Sequence, residues 1–189
     1  VKTANTAMTY PQIKTENGGV VVVMRDEKGG TNVAALRTEK LSQTADPSDN
    51  GVSWKFRVQK GAGASGKNWA DARSYCDNLA EENLSDWRLP SQREGIILWL
   101  LGGNAKVINA DRNDTGVGDA GKPITTSYLY EQEGFTTFKE TDNLDLGNYW
   151  LATQIDNNKA WSIGFSTGDT DGSGAKSEQK YVRCIHDVD

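Results

Sequence analysis

One histidine and two cysteines are all that this chain of 189 residues offers of the Cys/His ligands of zinc. His186, Cys76 and Cys184 cannot assemble the four-ligand Cys/His set of a structural zinc site, and neither cysteine lies in a C-x-x-C pair. Two isolated cysteines leave two readings open, free thiols or one disulfide, according to the redox compartment. His186 has no nearby Ser or Cys nucleophile in the sequence, so a structural or surface use is expected of it. Long apolar runs are missing too. The longest, GIILWLL at 95–101, falls far short of the ~20 residues a membrane-spanning helix needs. Basic residues do not cluster with aromatic ones, and 26 acidic against 21 basic residues leave a net charge of −5. A surface that tracks nucleic-acid phosphates is therefore not expected. The chain starts at Val1 rather than Met, which reads as a processed form or a fragment.

What is present suits one folded domain with an appended segment. Residues 1–50 are polar and turn-rich except for Val20–Met24, an apolar run between glycine pairs that reads as one buried strand. They are expected to be an N-terminal extension or the end of a preceding domain, with the main domain at 51–189. VSWKFRV alternates Val52, Trp54, Phe56 and Val58, the pattern of a half-buried strand. Asn68 is placed to cap a helix whose inner stripe is Trp69, Ala72, Cys76 and Leu79. Ser91 and Glu94 form an S-x-x-E capping box for a second helix, with Ile97, Leu98 and Leu101 inward and Gly102-Gly103 at its end. Residues 103–147 lack periodicity. NYWLAT, NKAWSIGF and KYVRCI then read as three strands of an antiparallel meander. Strand, helix, helix, irregular region and strands is an α+β order, not a doubly wound one: two helices on a mostly antiparallel sheet with a long irregular loop region.

GAGASGKN at 61–68 fits G-x-G-x-x-G and narrowly misses the phosphate-cradling P-loop. A dinucleotide fold would need a buried parallel strand ending near Glu81 and Glu82, but LAEENLSDWRLPS surrounds them. In a P-loop, Asn68 would stand where a Mg²⁺-binding hydroxyl is required. The stretch is better read as a loop feeding the capped helix. Two Asp-rich stretches fail as EF-hands, because Lys122 and Lys180 occupy the twelfth positions. A looser Ca²⁺ site from Asp111, Asn113, Asp114 and Asp119 is the remaining metal candidate; no other cofactor is expected.

WADARSYCDNL, DWRLPSQRE, NYWLAT, AWSIGF and YVRC, in that order, resemble bacterial C-type-lectin-fold domains, notably the collagen-like-adhesin C-terminal (Lcl) family and its relative the major paralogous domain. The resemblance covers about 51–189. It implies a C-type-lectin-like fold, a disulfide between Cys76 and Cys184, and export to an oxidising, extracellular or cell-surface location. The related sulfatase-modifying enzymes depend on active-site cysteines, which a Cys76–Cys184 bond would leave unavailable. The tripeptides with which animal-type lectins hold Ca²⁺ and sugar do not occur here. Diversity-generating-retroelement target proteins are also similar, and the stretch matching their variable surface runs from Asn148 to Lys180.

The expectation is a non-enzymatic module for adhesion or ligand recognition, binding a protein or glycan on another cell or surface. Its binding residues are expected to be Asn148, Gln154, Asp156, Asn157, Asn158, Lys159, Ser162, Asp169 and Asp171. Two alternatives stand beside it: a sulfatase-modifying type of enzyme, and a structural or tip subunit of a surface fibre that pairs by strand addition through Val20–Met24.

Overall fold

The structure, a computed structural model, describes residues 11–24, 50–102, 127–139 and 148–188. Strands β1 (Gln12–Glu16) and β2 (Gly19–Val23) form a hairpin around Asn17-Gly18, both with positive φ. An Asn-Gly pair takes that left-handed conformation with little strain. β2 pairs next with β3 (Lys55–Val58), and β3 with β9 (Ile185–Asp187), giving an antiparallel sheet ordered β1-β2-β3-β9. The hairpin thus continues the sheet that β3 and β9 begin.

All of β2 is buried, as its unbroken apolar run predicts. The cause is burial on both faces. Val20 and Val22 join the main core with Phe56 and Val58, while Val21 and Val23 pack with Trp54 on the other side. Two expectations are corrected here. Trp54 does not share a face with Phe56 and Val58, and Val52 is only half-buried, because the strand begins at Lys55. Strand addition through Val20–Met24 has no free edge to use, since β1 and β3 already pair both sides of β2.

The glycine stretch is more ordered than a loop. Ala64–Lys67 forms β4, which pairs antiparallel with β8 (Lys180–Val182) across a register irregularity. Gly63 has φ +77°, and a Cβ there would collide with the Val182 carbonyl oxygen. Only glycine fits that approach. Helix α1 (Trp69–Asp77) follows, its first turn capped by the Asn68 side chain, which accepts from the Asp71 N–H at 2.8 Å. Trp69, Ala72 and Cys76 form its buried stripe, as the spacing predicts. Helix α2 (Gln92–Gly102) starts with the expected capping box. The Ser91 N–H donates to Glu94 Oε1 at 2.9 Å, and the Glu94 N–H to Ser91 Oγ at 3.2 Å. Leu98 and Leu101 are buried, and Ile97 only partly.

The C-terminal strands depart from the expected meander. β5 (Asn148–Gln154) and β6 (Ala160–Gly164) are antiparallel, and β7 (Thr170–Asp171) pairs with β6. β8 instead runs parallel to β5 on its other side, so the second sheet is ordered β4-β8-β5-β6-β7. KYVRCI is not one strand. It ends β8 at Val182 and opens β9 at Ile185, passing from one sheet to the other. Between them Arg183, 2 % exposed, donates to the Gln59, Lys60 and Thr136 carbonyls and lies against the Phe135 and Phe138 rings. Burial pushes its guanidinium down to about 10, which leaves it cationic at neutral pH. These contacts tie 135–138, from the irregular region, into the core. The molecule is α+β, with two helices and two mostly antiparallel sheets. No helix among the described residues is long and apolar enough to cross a membrane.

Candidate functional site

Alternation along β5 and β6 decides which residues share a face. Tyr149, Leu151, Ile163 and Phe165 enter the main core, so Asn148, Trp150, Gln154, Ala160, Ser162 and Gly164 occupy the opposite face. The middle of that face is closed. Trp150 and Ala160 pack with Trp69, Ala72, Cys76 and Val182 in a second cluster that holds the disulfide. Cys76 of α1 is bonded to Cys184, with Cα atoms 5.6 Å apart, and both cysteines are fully buried. The Trp69 indole N–H donates to the Leu151 carbonyl and that of Trp150 to the Lys67 carbonyl, which satisfies both buried rings.

The nine expected binding residues therefore fall into two groups, one around the turn that follows Gln154 and the other beside the Asn148 half of β5. At one end Asp156, Asn157, Asn158 and Lys159 form an exposed turn. Asp156 Oδ1 accepts from the Asn158 and Lys159 N–H groups at 2.7 and 2.8 Å and fixes the turn's shape. Gln154, buried beside it, accepts from Lys176 Nζ at 2.6 Å. Lys176 lies over the Trp69 ring, and its ammonium is shifted down chiefly by burial.

At the other end Asn148, Asp169 and Asp171 line a concavity of about 280 Å³, and Ser162 sits buried behind Asn148. Asp171 accepts from both the N–H and the hydroxyl of Ser173 at 2.7 Å, and these bonds hold its carboxyl below the usual range. Asp169 accepts from Thr167 Oγ1 at 2.9 Å. Sequence reasoning missed Lys180 and Glu178, which line the same concavity and are paired at 3.0 Å. Lys180 is 5 % exposed and lies 5.2 Å from the centre of the Trp150 ring. One signal for it was available: Lys180 alternates with Val182 on the inward parity of β8.

Asp111, Asn113, Asp114 and Asp119 lie outside the described residues. Among the described residues no group of three or more His, Cys, Asp or Glu could hold a metal ion. His186 packs edge-on to Trp87 with ring centroids 5.4 Å apart, an arrangement of structural type.

These features define an α+β domain with a disulfide-anchored helix and polar clusters at the ends of its C-terminal strands. Residues 43–186 match the family described as the Lcl C-terminal domain, and the chain belongs to that family. The match takes in both helices and both sheets from β3 to β9. The family is associated with cell-surface adhesins, and the disulfide is consistent with export. No curated protein matches the chain.

Proposed function

We propose that the protein is a non-enzymatic, extracellular ligand-binding module with a C-type-lectin-like fold. It recognises a protein or glycan through the polar ends of its C-terminal strands and loops. The observation that carries this reading is the concavity at Asn148, Asp169 and Asp171, which opens on the sheet face that also carries the disulfide-bonded cluster and is backed by the main core on the other face. Rigid support of short polar side chains suits hydrogen-bonded recognition. The non-enzymatic part is supported by the chain's only two cysteines being bonded to each other, which leaves no thiol for sulfatase-modifying chemistry. If the chain is a retroelement target, its substitutions should fall within 148–180, and a neighbouring reverse transcriptase with a template repeat would mark it.

The test is a screen of the intact, oxidised protein on glycan and protein arrays, with and without Ca²⁺. Saturable binding that weakens at least tenfold in Asp169→Ala/Asp171→Ala or in Asn157→Ala/Asn158→Ala supports the reading. Absence of binding on both arrays overturns it.

A further inference from the structure

The concavity at the Asn148 end of β5 carries more than a cluster of acids. Asn148 is 7 % exposed, and its amide nitrogen reaches Ser162 Oγ at 3.4 Å. Its Oδ1 has no partner among the described residues and faces the concavity. Two glycines keep this floor open. A Cβ on Gly164 would sit 3.0 Å from Asn148 Oδ1, and one on Gly174 would sit 3.3 Å from Glu178 Oε2 and 3.4 Å from Lys180 Cε. The buried Lys180 ammonium spends one donor on Glu178, and its remaining donors have no hydrogen-bond partner among the described residues. Asp169 and Asp171 each engage one carboxylate oxygen internally, which leaves the other free to accept.

The site thus presents three open acceptors, Asn148 Oδ1 and one oxygen from each aspartate, around one ammonium that needs acceptors. A hydroxyl satisfies both kinds, because it donates one hydrogen and accepts through its oxygen. Adjacent hydroxyls on a ring can bridge a carboxylate and an ammonium together. Three carboxylates, from Asp169, Asp171 and Glu178, face one lysine, so the excess charge is negative and opposes anionic ligands. About 280 Å³ lies at the lower limit of small-ligand sites, roughly 300–1,000 Å³, which favours a single ring over an extended ligand. Resting on the reading of the chain as a binding module, we infer that this concavity binds one neutral or amine-bearing sugar ring through its hydroxyls, without a metal ion.

The experiment titrates galactose, mannose, N-acetylglucosamine, glucosamine and glucuronate into the ¹⁵N-labelled full chain, in EDTA and in Ca²⁺. The expected result is saturable shifts at the Asn148, Gly164, Asp171 and Lys180 amides for at least one neutral or amino sugar, with a dissociation constant on the order of 1 mM. EDTA leaves them unchanged, and glucuronate binds at least tenfold more weakly. Asp171→Asn and, independently, Gly164→Ala weaken the sugar at least fivefold while retaining the wild-type amide pattern elsewhere. Four outcomes overturn the inference: no sugar shifts these amides; glucuronate binds as well as the neutral sugars; EDTA abolishes the shifts; or a lysine- or arginine-rich peptide, run alongside, is the only ligand to shift them. Array binding that survives both substitutions would also reject this site while leaving the binding-module reading standing; arrays blank for the intact protein reject that reading itself.

Discussion

Arg88 stands between two carboxylates that the chain separates widely. Its guanidinium takes both oxygens of Glu94 at 2.7 and 2.8 Å and both of Asp187 at 2.9 and 3.0 Å. Glu94 is fully buried and also accepts from the Ser53 and Ser91 N–H groups. Burial alone would lower the Arg88 pKa, but the two carboxylates raise it above its ordinary value. Arg88→Met should cost about 3–5 kcal/mol in urea denaturation, because it leaves Glu94 buried without a counter-charge. At Asp187, burial pushes the carboxyl up, but the Arg88 hydrogen bonds and charge outweigh it and hold it below 3.8. A depressed carboxylate stabilises the fold above its unfolded value and loses that contribution as pH falls through the folded one. Stability measured between pH 5 and 2 should fall less steeply in Asp187→Asn than in the wild type; equal slopes would show that Asp187 is not coupled to folding. The Ser91–Glu94 cap was legible because its partners are three residues apart. The ion pair to Asp187 was not, since nothing local announces a partner across the fold.

At the scale of elements, α1 is fixed at both ends by features that its sequence shows unevenly. Asn68 and the Trp69–Ala72–Cys76 stripe follow from spacing alone. The strand before them does not, because Ala64–Lys67 reads as a glycine loop and becomes β4 only where β8 meets it. Gly63→Ala should destabilise by roughly 1–3 kcal/mol through both its positive φ and the Val182 carbonyl, seen as a lower thermal midpoint. Cys76 and Cys184 lie 108 residues apart, so their bond removes a large loop-closure entropy from the unfolded chain. The Cys76→Ala/Cys184→Ala protein should lose about 4–5 kcal/mol of stability to denaturant. The oxidised wild type should give an intact mass lighter by two hydrogens than the reduced one. The binding residues were half legible. Their polarity marked the strand ends, but periodicity alone could not show that Trp150 and Ala160 close the middle of the face and divide them in two.

For the molecule as a whole, the β1–β2 hairpin packs into the main core. Val20 and Val22 cover Phe56 and Val58 in the main core. Val22→Asp should therefore unfold far more than the hairpin, with tryptophan fluorescence and far-UV circular dichroism lost in one transition. A change confined to a minor early step would show that the hairpin folds apart from the rest. The α+β class was readable from element order; the sheet order was not, because the parallel β5–β8 contact depends on where a late strand returns.

Residues 180–187 serve two sheets in turn, with β8 entering between β4 and β5 and β9 closing on β3. A ribosome releases these residues only after every strand they complete has already emerged. Until then β4 and β5 lack the strand that joins them, β3 has an open edge, and Cys76 has no partner. Closure of both sheets and of the disulfide thus waits on this one segment, and it depends on long-range contacts.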